Sequence, residues 1–166
     1  MNNIYLIGFM GSGKTTVGKE LAAKLNRDLV DMDYEIEQKQ GISIKEIFEL
    51  QGENAFRDME TNFLKRIEGL ENKVISTGGG VILKEENCKS MKSGGKVIFL
   101  HAREEQRLRI LKPDDKRPLL AGADYQERIS TLLGIREQFY LDAADIIIQA
   151  TGKNIQDIVQ EIIVLL

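Results

Sequence analysis

Residues 8–15 read Gly8-Phe9-Met10-Gly11-Ser12-Gly13-Lys14-Thr15, and they directly follow the apolar run Ile4-Tyr5-Leu6-Ile7. The order fits G-x-x-x-x-G-K-[ST], in which a tight glycine turn after a strand cradles phosphate groups at the start of a helix. Glycines here permit backbone angles and a close phosphate approach that a Cβ would obstruct. Beyond Thr15, apolar residues continue at helical spacing as far as Leu25. The sequence therefore predicts a nucleoside triphosphate site at residues 8–16.

Two side chains of this loop carry the predicted chemistry. Lys14 is expected to reach the β- and γ-phosphates, and the Thr15 hydroxyl is expected to ligate Mg²⁺. The alternative is an ordinary glycine-rich turn between a strand and a helix, with no ligand. The patterns on both sides of the loop favour the phosphate site.

Composition limits the class of protein. The chain has 166 residues, 42% hydrophobic and 30% charged, which is typical of one globular domain. A net charge of −3 gives no reason to expect nucleic acid or an anionic membrane as a partner. Cys88 is the single cysteine, which excludes an internal disulfide and a multi-cysteine zinc site and agrees with a reducing cytoplasm.

The chain shows no targeting or membrane segment. Its first residues lack a signal-peptide pattern, and its apolar runs are too short to span a bilayer. We therefore expect a cytoplasmic protein. Nothing in the sequence suggests an obligate interface, which favours a monomer.

Five short apolar runs alternate with longer amphipathic or charged segments. They are Ile4–Ile7, Leu29–Val30, Val74–Ile75, Val97–Leu100 and Ile146–Ile148. This alternation indicates an α/β fold of three layers, in which helices cover both faces of a central five-stranded parallel sheet. Ligands in such folds bind beyond the carboxyl ends of the strands, so residues just after each run are candidates for chemistry.

Local signals mark several helix boundaries. Ser43 and Glu46 form a capping-box pattern, and Asn154 with Asp157 marks the start of the last helix. Gly52 interrupts a helical pattern, which predicts that two helices meet there.

Two carboxylates follow the second apolar run, as Asp31-Met32-Asp33. From their place at the end of a strand, we expect them to point to opposite sides and take separate tasks. One would hold the hydration shell of Mg²⁺ beside Thr15, and the other would face an acceptor substrate. The alternative is a pair of acidic residues that favour the start of a helix.

Three glycines follow the third run, in Ser76-Thr77-Gly78-Gly79-Gly80. Successive glycines leave backbone N–H groups unshielded, which suits a segment that closely approaches a ligand. The alternative is a flexible turn.

Charged and aromatic residues elsewhere have two interpretations each. Arg57 and Glu60 lie one helical turn apart and can pair, although a surface ion pair is the more usual meaning. Phe48 and Phe56 are more often core residues than parts of a pocket. By itself Arg136 is interpreted as a solvated arginine, and His101 has no evident acid–base partner.

The segment Pro113 to Asp124 contains two prolines, a glycine and several charges without periodicity, which predicts a mobile loop. Arg117 lies inside it, where a cation can swing over a transferred phosphoryl group. A charged helix face is the alternative for the surrounding cluster of lysines and arginines.

Taken together, these motifs resemble the shikimate kinase family, small P-loop kinases related to the nucleoside monophosphate kinases. The resemblance runs nearly end to end. It rests on Gly8–Thr16, Asp31-x-Asp33, Ile47-Phe48, Phe56-Arg57-x-x-Glu60, Gly78–Gly80, Arg117-Pro118-Leu119-Leu120, and Arg136 followed by Tyr140. It implies a P-loop kinase fold with a mobile lid, ATP as phosphoryl donor and the 3-hydroxyl of shikimate as acceptor. It also implies a step in chorismate and aromatic amino acid biosynthesis.

The resemblance implies roles for the matching residues. The implied catalytic residues are Lys14, Asp33 and Arg117. The implied ATP contacts are Gly11, Ser12, Gly13, Lys14, Thr15, Thr16, Arg109, Arg117 and Asn154. The implied shikimate contacts are Asp33, Phe48, Phe56, Arg57, Glu60, Gly78, Gly79, Gly80, Leu119 and Arg136. Mg²⁺ is implied to bind directly to Thr15 and through water to Asp31 and Ser76. The shikimate-binding region spans about 34–60 and the lid about 113–124.

Two other functions remain as alternatives. A regulatory GTP switch would use the same loop, but Asn72-Lys73-Val74-Ile75 lacks the final carboxylate of the guanine-reading Asn-Lys-x-Asp, and the sequence has no Asp-x-x-Gly. Another small-molecule kinase, such as a gluconate kinase, shares the loop but is not expected to need two arginines for a substrate carboxylate.

Overall fold

A computed structural model describes residues 2–102 and 124–166 of the chain. The described residues form one parallel sheet of five strands in the order β2-β3-β1-β4-β5. The strands are β1 (Asn3–Ile7), β2 (Asp28–Asp31), β3 (Lys73–Ser76), β4 (Gly95–His101) and β5 (Ile146–Gln149). Each contains one of the five apolar runs, so the predicted central parallel sheet is confirmed.

Helices connect the strands, and one follows the last strand. In the described ranges they are α1 (Lys14–Leu25), α2 (Met32–Gln40), α3 (Ile44–Arg66), α4 (Glu85–Gly94), α5 (Tyr125–Ala143) and α6 (Ile155–Leu165), with a short 3₁₀ turn at Val81–Leu83. No helix in the described ranges is both long enough and apolar enough to cross a membrane.

The core lies on both faces of the sheet, because a buried parallel strand is apolar on each side. Tyr5 and Ile7 of β1 pack in one cluster with residues of α2, α3, α4 and α5. Ile4 and Leu6, which alternate with them, pack in a second cluster with α1 and α6. The predicted three layers are therefore confirmed.

The predicted helix boundaries are also confirmed. The Ser43 hydroxyl accepts from the Glu46 amide while the Glu46 carboxylate accepts from the Ser43 amide, which is the capping box. The Asn154 side chain accepts from the Asp157 amide at the start of α6. Within α3, Gly52 has φ 83° and ψ 167°, so the helix is kinked at that glycine.

This topology brings four strand ends to one edge of the sheet. Because all strands are parallel, the carboxyl ends of β1, β2, β3 and β4 lie together, and this edge carries the phosphate-loop motif, the two aspartates, the triple glycine and His101. The predicted positions Arg109, Arg117 and Leu119 fall outside the described residues, as does nearly all of the predicted lid.

The start of β4 tests how closely the central strands pack. A methyl group on Gly95 would lie 2.0 Å from the backbone oxygen of Asn3, its register partner in β1. We expect Gly95→Ala to lower the free energy of unfolding by about 1 to 3 kcal/mol, because backbone rather than a flexible side chain must move. Urea-induced unfolding followed by circular dichroism measures this change.

Gly134 is the matched control for that substitution. It lies exposed in α5, and a methyl group there would meet no atom within 4 Å. Gly134→Ala should raise the free energy of unfolding by about 0.5 to 1 kcal/mol, because alanine favours a helix interior. Equal effects of the two substitutions would contradict the packing described for β1 and β4.

Candidate active site

The phosphate-loop motif forms the predicted turn between β1 and α1. Gly13 precedes α1 with φ 87°, a left-handed conformation that favours glycine. A methyl group on Gly8 would lie 2.9 Å from the Leu100 backbone oxygen, so the loop also packs tightly against β4. The Lys14 ammonium group donates to the backbone oxygens of Gly8 and Phe9, at 2.8 and 3.0 Å. The Lys14 side chain thus folds back over the loop that is predicted to bind phosphate.

Three side-chain oxygens from different elements converge beside Lys14. The Thr15 hydroxyl donates to Oδ2 of Asp31 at 2.8 Å and lies 3.2 Å from the Ser76 hydroxyl. Thr15 belongs to α1, whereas Asp31 and Ser76 are register partners at the ends of β2 and β3. An all-oxygen set with one carboxylate suits a hard cation such as Mg²⁺ that keeps several water ligands.

The structure corrects the reasoning behind the two aspartates. Side chains two apart in a strand share a face, and only Asp31 belongs to β2. Asp33 lies in the first turn of α2, for which Asp31 is the N-cap, accepting from the Tyr34 amide at 3.2 Å. Both residues therefore lie at the start of a helix, as the alternative interpretation expected. The two carboxylates have different surroundings because one is a cap and the other is in the helix.

Arg57 is buried, which makes the surface ion-pair interpretation wrong. The residue is only 8% exposed and Glu60 is fully buried. Nη1 of Arg57 donates to Oε2 of Glu60 at 2.8 Å, while Nε and Nη2 donate to Oε1 of Glu53 at 3.2 and 2.9 Å. Glu53 has no role in the sequence prediction, although its position one turn before Arg57 is a detectable signal.

The triple glycine lets three charged side chains approach the backbone after β3. A methyl group on Gly78 would lie 2.4 Å from Oε1 of Glu60 and 2.9 Å from Oδ1 of Asp33. One on Gly80 would lie 2.1 Å from Nη1 of Arg57. Any larger residue at 78 or 80 would displace these groups. The ordinary flexible-turn interpretation does not account for such contacts.

The site also contains the ring systems predicted near it. Phe48 and Phe56 have centroids 5.2 Å apart, and the Arg57 guanidinium carbon lies 5.3 Å from the Phe56 centroid. Both rings pack with the core cluster that contains Tyr5 and Ile7. The core interpretation is correct for both rings, and Phe56 also contacts Arg57 at the predicted site.

Helix α5 brings Arg136 and Tyr140 to the same region. Arg136 is 5% exposed, with its guanidinium carbon 5.9 Å from the centroid of Phe9 in the phosphate loop. The interpretation as a solvated arginine is therefore wrong. One turn later, the Tyr140 hydroxyl donates to the backbone oxygen of Gly79.

Charge and burial together set the ionisation of the two inner carboxylates. Burial raises the pKa of Glu60 to about 7, although ion pairing with Arg57 acts in the opposite direction. Burial also raises the pKa of Asp33, against the attraction of the Lys14 ammonium group. Oδ1 of Asp33 and Oε1 of Glu60 are buried and have no hydrogen-bond partner among the described residues. These oxygens are suited to accept hydrogen bonds from a bound molecule.

The predicted ATP contact Asn154 and the single histidine, His101, lie at the neighbouring strand ends. Asn154 follows β5 and caps α6, with its side chain bonded to Asp157 at 2.9 and 2.7 Å. His101 does have partners: its ring nitrogens lie 2.7 Å from Oε1 of Glu137 and 2.8 Å from Oε1 of Gln149. Sequence reasoning missed these partners because they are distant along the chain.

Comparison with known proteins places this geometry in a family. A family model of shikimate kinase matches residues 10–166. A shikimate kinase from Persephonella marina is 47% identical over 163 residues, which cover 98% of each chain. One from Caldicellulosiruptor bescii is 50% identical over 140 residues, covering 84% of this chain and 81% of the relative.

Solved structures agree with this assignment. A shikimate kinase from Acinetobacter baumannii, solved in complex with shikimate, has a TM-score of 0.95 and 39% identity, covering 99% of this chain and 92% of that one. A gluconokinase from Sinorhizobium meliloti shares only the fold, with a TM-score of 0.58 and 15% identity over 96% of this chain and 88% of that one. The chain therefore belongs to the shikimate kinase family, as the resemblance of its motifs predicted.

Proposed function

We propose that this enzyme transfers the γ-phosphoryl group of ATP to the 3-hydroxyl of shikimate, forming shikimate 3-phosphate and ADP. The observation that carries the proposal is that the phosphate loop, Asp33 and buried Arg57 meet at Gly78–Gly80. The second buried arginine, Arg136, lies beside Phe9 of the phosphate loop. In the family this reaction belongs to chorismate and aromatic amino acid biosynthesis.

The donor end of the site is the phosphate loop. Residues 11–16 would hold the phosphates of ATP through backbone N–H groups at the start of α1. Lys14 would exchange the carbonyl oxygens of Gly8 and Phe9 for phosphate oxygens and stabilise charge on the transferring group. When bound, Mg²⁺ neutralises negative charge on the phosphates. Thr15 would hold the ion directly, and Asp31 and Ser76 would hold it through water.

The acceptor end requires recognition of a planar carboxylate and of ring hydroxyls. Arg57 and Arg136 are the two buried guanidinium groups of the described site, and guanidinium forks match carboxylate geometry. Asp33 would accept from the ring hydroxyls and, with its raised pKa, take the proton of the attacking one. The backbone N–H groups of Gly79 and Gly80 would complete the pocket.

Further assignments complete the proposal. Phe48, Phe56, Glu60 and Gly78 would form the pocket wall, and the region of residues 34–60 would recognise shikimate. The roles of Arg109 and Asn154 at ATP, of Arg117 at the phosphoryl group, of Leu119 at shikimate, and of residues 113–124 as a lid follow from the family resemblance. A single domain, a monomeric state and a cytoplasmic location are also part of the proposal.

A parallel assay of acceptors tests the function. We expect ATP-dependent ADP release with shikimate, and none above background with gluconate or nucleoside monophosphates, because only shikimate fits the two arginines and Asp33 together. Lys14→Ala should lower kcat by about 10³-fold or more with an unchanged circular dichroism spectrum. Turnover of gluconate but not shikimate would contradict the proposal and favour the alternative kinase.

Gly80 offers a steric test of the acceptor pocket. In Gly80→Ala the new methyl group would overlap the Arg57 guanidinium, so Arg57 must leave its position. We expect the KM for shikimate to rise about tenfold or more while the KM for ATP changes little, since the phosphate loop is untouched. Initial rates over a matrix of both substrate concentrations measure the two constants.

Gly79→Ala is the matched comparison. A methyl group there meets no atom closer than 3.5 Å, which is ordinary contact. The rise in KM for shikimate should be smaller than in Gly80→Ala. An equal or larger rise would show that the loop responds to any side chain rather than to displacement of Arg57.

The ionisation of Glu60 predicts a pH dependence of substrate binding. A substrate carboxylate at Arg57 would offset part of the positive charge that favours ionised Glu60, so binding should raise the pKa of Glu60 above its free value of about 7. Binding then takes up a proton, and the KM for shikimate should rise between about pH 6 and 8.

The variant Glu60→Gln provides the control for this dependence. The variant removes the titrating group, so its KM for shikimate should vary less with pH over that range, even if the absolute KM differs from that of the wild type. Titration calorimetry in two buffers of different ionisation enthalpy measures the proton uptake directly. A pH profile identical in the two proteins would exclude Glu60 as its origin.

A further inference from the structure

Tyr140 is a buried residue that the proposed reaction does not yet use. It is 1% exposed, and its hydroxyl donates to the backbone oxygen of Gly79, which is 61 positions away in the sequence. Its ring stacks on Phe99 of β4, with centroids 5.0 Å apart and an angle of 17° between the planes. The hydroxyl is therefore presented to Gly79 from a ring that is held between a helix and the sheet.

The bonded carbonyl lies at the centre of the site. A peptide unit is planar and trans, so the oxygen of Gly79 and the N–H of Gly80 point in opposite directions. A hydroxyl that fixes the oxygen on one side therefore fixes the direction of the N–H on the other. That N–H is one of the two backbone donors proposed to meet the acceptor.

Gly79 lies between the phosphate loop and the charged groups on the acceptor side. A methyl group on Gly79 would lie 3.5 Å from the Met10 amide nitrogen and 3.7 Å from the Gly8 oxygen, so this residue contacts the phosphate loop. The glycines on either side contact the acceptor-side groups Asp33, Glu60 and Arg57. A shift of Gly79 would change the spacing between the donor and acceptor ends together.

Helix α5 links Tyr140 to a second acceptor contact. Arg136 precedes Tyr140 by four residues and lies on the same face of the helix. The same face therefore supplies one carboxylate-binding arginine and the hydroxyl that holds the glycine loop. Any rotation of this face would move both.

We propose that Tyr140 is a positioning residue that fixes the Gly79–Gly80 peptide for shikimate binding. This inference rests on the proposed function and deepens it, because it assigns the orientation of the acceptor loop to one hydroxyl. Without that hydroxyl the Gly79 oxygen loses its donor, and the peptide gains freedom to rotate.

The substitution Tyr140→Phe removes only the hydroxyl and keeps the stacked ring. We expect the KM for shikimate to rise about tenfold, with kcat and the KM for ATP changed less than about threefold. A second readout needs no substrate: the Gly80 amide should exchange with solvent faster than in the wild type, measured by nuclear magnetic resonance.

Tyr5→Phe is the matched control. Tyr5 is 3% exposed in the same core cluster, and its hydroxyl lies beside Gly94, before the start of β4 and away from the strand ends that form the site. The Tyr5→Phe substitution removes the same atom from a similarly buried ring. Its KM for shikimate and its rate of Gly80 amide exchange should therefore match those of the wild type.

Several outcomes would overturn the inference. A wild-type shikimate KM in Tyr140→Phe, or equal changes in Tyr140→Phe and Tyr5→Phe, would show that the hydroxyl does not position the loop. A fall in kcat together with a rise in both KM values would indicate a general structural role instead. If the wild-type enzyme does not phosphorylate shikimate, the proposed function fails, and the exchange of the Gly80 amide still decides whether Tyr140 holds this peptide.

Discussion

The structure depends on the absence of side chains along Gly78–Gly80. This backbone occupies the space between the phosphate loop and the helices that carry the charged groups, and two of its positions have no room for a methyl group. Asp33 and Glu60 approach it at one end and Arg57 at the other. Because the segment follows the buried strand β3, its place is fixed by the sheet. The site is thus assembled around main chain, and the side chains take their positions from it.

Around this backbone, charge is distributed so that burial is tolerated. A buried guanidinium group without partners would be costly, and Arg57 has carboxylates from both neighbouring turns of α3. Glu60, with no exposure at all, keeps its pKa near 7 and is not held strongly in the ionised form. The interior therefore avoids a permanent excess of negative charge at the place where we propose that the substrate acid binds.

The sheet and its connections could be predicted because their signals are local. Buried parallel strands read as apolar runs, and a glycine motif of this spacing between a strand and a helix strongly indicates a phosphate site. The capping pairs depend on residues three apart and the kink on the single residue Gly52, so the sequence displays both. The resemblance to the family rests on the combination of these motifs, because no single motif indicates the reaction.

Burial of charged residues could not be predicted from spacing. Arg57 and Glu60 look like any helical ion pair until the glycines of another segment are seen against them, and Arg136 looks solvated until Phe9 is placed beside it. The partners of His101 lie 36 and 48 positions away, and that of Tyr140 lies 61. The strand-based argument for Asp33 failed because α2 begins directly after β2, with no loop between them.

The hydrogen bonds of Arg57 have a consequence for what this position can hold. A guanidinium group has five N–H donors, and three of them already point to Glu53 and Glu60, so at most two remain to meet an incoming anion. A lysine ammonium group has three donors in all, and the same three bonds to Glu53 and Glu60 would use every one of them. Arginine is thus required here by the number and fixed directions of its donors, beyond its charge.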